Sequence, residues 1–176
     1  MAKWIIDPDH SVAAFVVRHM MVTNVRGQFN KVTGEIHFDA SDIENSSVKA
    51  AIDVSGIYTG IQKRDDHLRS ADFFDAASYP HIIFRSEKVK VTRTKHFSVI
   101  GNLTIRGTTK SVTLDVEYTE PEKSPYGETS IGFAATAKIN REDFGVMWNE
   151  TLESGGFMAG KEVQILLDIE ADLAGN

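Results

Sequence analysis

An all-β antiparallel fold, built as a sandwich or a closed barrel, is what this sequence of 176 residues predicts. Three observations carry the expectation: apolar and polar residues alternate with period two, the alternating stretches are long, and short turn-forming segments separate most of them. Alternation means one buried and one wet face per strand, which favours antiparallel pairing, because parallel strands read as continuous apolar runs.

In chain order the pattern places strands near 11–20, 25–39, 47–57, 80–93, 96–106, 110–119, 129–139 and 161–173. Within the second, Val32, Gly34, Ile36 and Phe38 alternate with Thr33, Glu35 and His37. Phe97 to Ile105, Val112 to Tyr118, Ile131 to Ile139 and Val163 to Leu173 keep the same period. Arg106-Gly107 and the Pro/Gly-bearing stretch 120–128 supply turn chemistry. A thirteen-residue strand at roughly 3.3 Å per residue runs about 43 Å, long for a small sandwich. A closed eight-stranded barrel of such strands can hold a small ligand. The small inward residues Gly34, Gly101, Ala135, Ala137 and Ala171 leave volume for an apolar one, unless facing Phe and Leu residues fill it as core.

Two insertions interrupt the pattern. Thr59-Gly60-Ile61-Gln62 has the spacing of a capping box and opens a helix to about Ser70. Ile61, Leu68 and Ala71 share its apolar side, and Asp65 and Arg69 are spaced to pair on its surface. Before the last strand, Asn140-Arg141-Glu142-Asp143 caps one turn stopped by Gly145. The stretch 146–160, rich in Met, Trp and Phe, follows. Both insertions are long enough to cover a barrel mouth.

Composition narrows the function classes. The length fits one domain, 1–176. With no cysteine, disulfides and thiolate metal sites are excluded. The formal charge of −6 argues against a nucleic-acid partner. No stretch approaches the roughly 20 apolar residues of a membrane span. The first residues, Met1 to Asp7, carry no apolar run of signal-peptide type, so the expected location is cytoplasmic, or periplasmic if a leader precedes the chain.

Catalytic signatures are missing. His10, His19, His37, His67, His81 and His96 form no H-x-H or i,i+4 pair, so a metal site would need distant residues such as His10, His19 and His67. Neighbours on an extended chain face opposite ways, so Asp9-His10-Ser11 cannot act locally as a triad. No G-x-S-x-G elbow is present. Neither a metal nor another cofactor is expected, and no catalytic residue. Arg64 and His67 on the helix can face the mouth and meet a ligand's polar end.

Six blocks in order bring a family into view. They are Trp4-x-x-Asp7-x-x-His10-Ser11 with Phe15 and His19, Val25-Arg26-Gly27-x-Phe29, and Thr59-Gly60-x-x-x-Arg64-Asp65-x-His67-Leu68. Then come Asp72-Phe73-Phe74-Asp75 with Tyr79-Pro80, the run 101–107, and Ile139-Asn140-Arg141-x-Asp143-Phe144-Gly145. Over nearly its full length the chain resembles the YceI-like family of bacterial lipocalin-like lipid-binding proteins. The resemblance implies an extended eight-stranded antiparallel barrel whose hydrophobic tunnel takes up a polyisoprenoid chain, often in a homodimer, and it brings no established catalytic residues. Many relatives carry an export signal, which this sequence does not show.

The expected function is therefore a carrier or sequestering protein for an isoprenoid lipid of polyprenyl or quinone type. Residues expected to line the tunnel are Phe15, Val17, Phe29, Ile36, Phe38, Phe84, Gly101, Leu103, Leu114, Phe133 and Ala135. Leu68, Phe73, Phe144 and Trp148 join them from the insertions, with Arg64 and His67 as the polar mouth. The alternatives are an enzyme or metal-dependent protein acting on a lipid-like substrate at the mouth, and an interaction scaffold with a solid interior.

Overall fold

The computed structural model describes residues 1–175. Its strands are β1 (Ala2–Ile6), β2 (Val12–His19), β3 (Thr23–Phe29), β4 (Val32–Phe38), β5 (Ser47–Asp53), β6 (Ile57–Tyr58), β7 (His81–Arg93), β8 (His96–Ile105), β9 (Thr108–Tyr118), β10 (Glu122–Lys123), β11 (Thr129–Asn140) and β12 (Ala159–Leu173). One α-helix, α1 (Gln62–Arg69), follows β6.

Every pairing is antiparallel, and the contact of β11 with β12 closes the sheet on itself. The first six strands act as three interrupted long ones. β1 and β2 lie end to end along the same edge of β12, β3 pairs with β2, and β4 pairs with β1. β5 then pairs with β4, and β6 with β3. Counted this way the closed barrel has eight strands, as the sequence predicts. The predicted strand 25–39 is thus corrected to two, broken at Asn30–Lys31, and 47–57 is broken by the 3-10 turn Val54–Gly56. Strand β1 was not anticipated. Five residues give too short a stretch for periodicity, although Trp4 and Ile6 are buried between exposed neighbours.

Side chains alternate across the wall as a closed sheet demands. In β9, Leu114, Val116 and Tyr118 point inward and are buried, while Ser111, Thr113, Asp115 and Glu117 are exposed. An apolar inside with a polar outside is the reverse of a membrane-spanning barrel. No helix among the described residues is long and apolar enough to cross a membrane.

One end is plugged by Phe38, which packs against Phe97, Tyr118 and Phe133 at centroid distances of 6.0, 4.9 and 5.2 Å. At the other end α1 and the segment after the 3-10 turn Arg141–Phe144 cross the opening.

Candidate functional site

Between plug and lid runs an apolar cavity of about 810 Å³, near the top of the range of roughly 300–1,000 Å³ for small-molecule sites. Its lining extends from Phe38, Phe97 and Phe133 at the plug to His67, Phe73, Trp148 and Met158 at the lid. An interior this empty is not the solid core that the scaffold reading requires.

The lid is made of rings that meet across the mouth. His67 of α1 stands edge-on to Phe73 and Trp148 at 5.0 and 4.9 Å, and Phe73 and Trp148 lie 5.2 Å apart. The His67 Nε2 atom is also 2.8 Å from an Asp72 carboxylate oxygen.

Two arginines hold the lid segments. The guanidinium of Arg64 donates to Thr59 Oγ1 (2.7 Å) and to the Thr59 carbonyl (2.8 Å). Arg141, only 6% exposed, has four backbone carbonyls as acceptors. Nη1 donates to Val146 and Trp148 at 2.7 and 3.0 Å, Nε to Gly160 at 2.8 Å, and Nη2 to Ala159 at 3.2 Å. Loss of water lowers its pKa from the ordinary guanidinium range, and the neighbouring Glu142 carboxylate opposes that shift. The five fixed N–H donors of a guanidinium suit a loop whose carbonyls would otherwise be buried unpaired. The turn before it forms as the sequence predicts: the Asn140 side chain accepts from the Glu142 N–H, and Gly145 stops it in a left-handed conformation.

A family description of the YceI-like domain matches residues 4–171. The chain belongs to the YceI-like family. This YceI-like chain is 35% identical over 175 residues to a UPF0312 protein of Staphylococcus aureus (strain N315), covering 99% of both. Among solved structures it resembles BcnA of Burkholderia cenocepacia, with TM-score 0.82, 25% identity, and coverage of 94% of this chain and 98% of that one. A polyisoprenoid binding domain from Saccharophagus degradans, implicated in plant cell wall breakdown, shares the fold at TM-score 0.69 and 16% identity, over 99% of this chain and all of that one.

In this YceI-like barrel the residues predicted to line a tunnel all border the cavity, with the exception of Gly101; Arg64 and His67 border it at the mouth. Gly101 is small for another reason. A Cβ there would come within 2.5 Å of both the Arg85 carbonyl and the Phe84 ring. Gly34 is likewise covered, by the β5 backbone at Lys49, and Ala171 is wholly enclosed. Of the small residues read as lining, Ala135 borders the open volume.

The helix corrects several local expectations. No side chain caps its N-terminus at Ile61; the buried Asp65 instead accepts from the N–H and hydroxyl of Thr59 at 2.8 and 2.5 Å. Arg69 pairs with Asp66 at 3.1 Å, not with Asp65. Ile61 and Ala71 are exposed, whereas Leu68 faces the cavity. Of the lid residues Met147 and Phe157 point outward, while Phe144, Trp148 and Met158 face in.

The histidines do not assemble. His19 and His67 border the cavity, but His10 lies elsewhere, with its Nδ1 2.6 Å from Asp7 Oδ2 and near Glu170. The buried Ser11 hydroxyl donates to the Glu170 carbonyl and accepts from the Glu170 N–H, both at 3.1 Å. It is bound into the sheet where β1 gives way to β2. Sequence reading missed the part played by Arg141, which sat in a family block without a role. An isolated arginine before a Gly-rich apolar segment was its one visible signal.

Proposed function

We propose that this YceI-like protein binds one long-chain isoprenoid lipid, of polyprenyl or quinone type, inside the barrel and acts as its carrier or reservoir, without catalysis. The observation that carries the reading is the apolar cavity that runs from plug to lid. A domain of the same fold is described as polyisoprenoid binding, which supports a chain-like occupant over a compact one. Among the described residues no acidic one borders the cavity, whereas Arg18, Lys63, Arg64 and Arg141 do. A lipid's polar end therefore belongs at the lid and its tail toward the plug.

Burial of the tail dominates the energetics. At about 0.8 kcal/mol per buried CH₂, a few isoprene units outweigh a headgroup hydrogen bond of about 0.5–1.5 kcal/mol. Ser11 is engaged with Glu170, and the Asp7, His10 and Glu170 group, whose ligand atoms lie within 4.8 Å of one another, does not border the cavity, which supports binding over chemistry at the mouth. Organic extraction of the purified protein, followed by mass spectrometry, tests the proposal. One lipid with a long isoprenoid chain per protomer is expected; no stoichiometric lipid would sink it.

A further inference from the structure

The hairpin joining β2 to β3 turns at His19-Met20-Met21-Val22, where the Val22 N–H donates to the His19 carbonyl at 2.9 Å. Both central residues are left-handed, with φ of 50° at Met20 and 60° at Met21. Such hairpin turns favour Asn-Gly, because a Cβ is disfavoured there. The β8–β9 hairpin meets the same demand with Arg106-Gly107, at φ 48° and 72°. At the β2–β3 tip the chain places two methionines in a conformation that suits them poorly and leaves them in water, beside a valine. Met21 is 64% and Val22 74% exposed.

This tip stands on the rim of the cavity. His19, the residue before it, borders the open volume, and the Met20 N–H donates to the carbonyl of Met158, another lining residue, at 2.8 Å. Three more exposed apolar side chains share the rim: Met147 lies between the lining residues Val146 and Trp148, Phe157 precedes Met158, and Ile61 precedes Lys63 by two residues. The most exposed aromatic of the chain, Tyr126, sits apart, in the loop beyond the plug.

We propose that this rim is a bilayer-docking surface, on which Met20, Met21 and Val22 insert into a membrane so that the cavity opens toward its apolar layer. The exposed apolar side chains here are few, Met20, Met21, Val22, Met147, Phe157 and Ile61, short of the roughly 20–30 residues a side of a standard protein interface. The patch is also continuous with an apolar cavity, so lipid that crosses it need not enter water. Insertion and not charge attraction is the basis: the protein carries −6 overall, and Glu150 and Glu153 lie exposed on the lid loop. The route of loading rests on the lipid-binding reading; docking itself does not.

Flotation with phosphatidylcholine vesicles tests it. The wild-type protein floats with the vesicles, and raising the salt concentration leaves the bound fraction unchanged. The double variant Met20→Asn/Met21→Gly supplies the residues the turn prefers, so its melting temperature rises while its vesicle partition falls on the order of tenfold or more. Val22→Asp, at a residue outside the left-handed region, gives a similar fall, and Tyr126→Ser gives none. A wild-type protein that stays in the subphase, a tip variant that floats as well as wild type, or a wild-type dimer that the tip variant converts to monomer in sedimentation velocity each overturns the proposal. Lipid in the organic extract without flotation removes docking and leaves the lipid reading standing; flotation without extractable lipid does the reverse.

Discussion

The two ends of the barrel use aromatic rings at similar spacing, yet the rings are held by different means. At the plug, Phe38, Phe97, Tyr118 and Phe133 project from strands, and each is more than nine-tenths buried. At the lid, His67, Phe73 and Trp148 are half-buried and come from a short helix and two irregular segments. Those segments are fixed by guanidinium–carbonyl bonds from Arg64, Arg106 and Arg141. Ladders that extend along a whole strand open only with the barrel, whereas a few side-chain bonds can open locally. This difference predicts that equal ring contacts make a fixed wall at one end and a gate at the other.

The sharpest way to break this comparison is to truncate one ring at each end. Phe38→Ala should destabilise by about 3–5 kcal/mol, the cost of removing a buried aromatic from a packed core, measured by urea denaturation. Trp148→Ala should cost less than half as much and should speed the loss of bound lipid. Equal destabilisation at the two ends would erase the distinction between wall and gate.

Arg141→Met sharpens the same point. It leaves the carbonyls of Val146, Trp148, Ala159 and Gly160 without their donor, at about 1–3 kcal/mol of stability in all if the loop can reach water. Because those carbonyls belong to the lid segment, protease cleavage within 146–158 should accelerate more than global unfolding does. Uniform loss of protection would place Arg141 in the core and not in the gate.

The smallest expected effect lies outside both ends, at His10. A hydrogen bond to the Asp7 carboxylate raises the His10 pKa above its ordinary value, and the same bond holds Asp7 below the usual carboxylate range. The stability from a raised histidine pKa is fully present below its unfolded value of about 6.5 and fades as pH climbs through the folded one. That from a lowered aspartate pKa is present above about 3.9 and is lost as pH falls through the folded one. The pair thus stabilises most between these limits. His10→Gln should lower the melting temperature slightly near pH 5 and not at pH 8; a larger effect at pH 8 would contradict the pairing.

Much of this was legible in the sequence, for identifiable reasons. Strand faces follow from period two, so Phe29, Ile36, Leu103 and Ala135 could be aimed inward without a structure. The breaks at Asn30–Lys31 and in the turn Val54–Gly56 leave only a one-residue slip in phase, from odd inward positions at Phe29 to even ones at Val32 and from Val54 to Ile57, which a reading of one long strand passes over. Gly101 was misread because a small inward residue looks alike whether it borders a void or lies under a neighbour's ring. Arg141 escaped because its partners are backbone carbonyls, which leave no trace in side-chain pattern. The Thr59–Asp65 bond was hidden by a better-known spacing that the same threonine also satisfies.

The central claim is that burial of an apolar tail in the cavity, and not a grip on the headgroup, retains the ligand. Native mass spectrometry of the lipid-bound fraction in Ala135→Gln and His67→Ala, both first shown to be folded by circular dichroism, tests it most directly. Ala135 is the position to change because it borders open volume, whereas a longer side chain at Gly101 would collide with the Arg85 backbone. The account predicts that Ala135→Gln loses most of its lipid while His67→Ala keeps most of it. Full occupancy in Ala135→Gln together with loss in His67→Ala would contradict it.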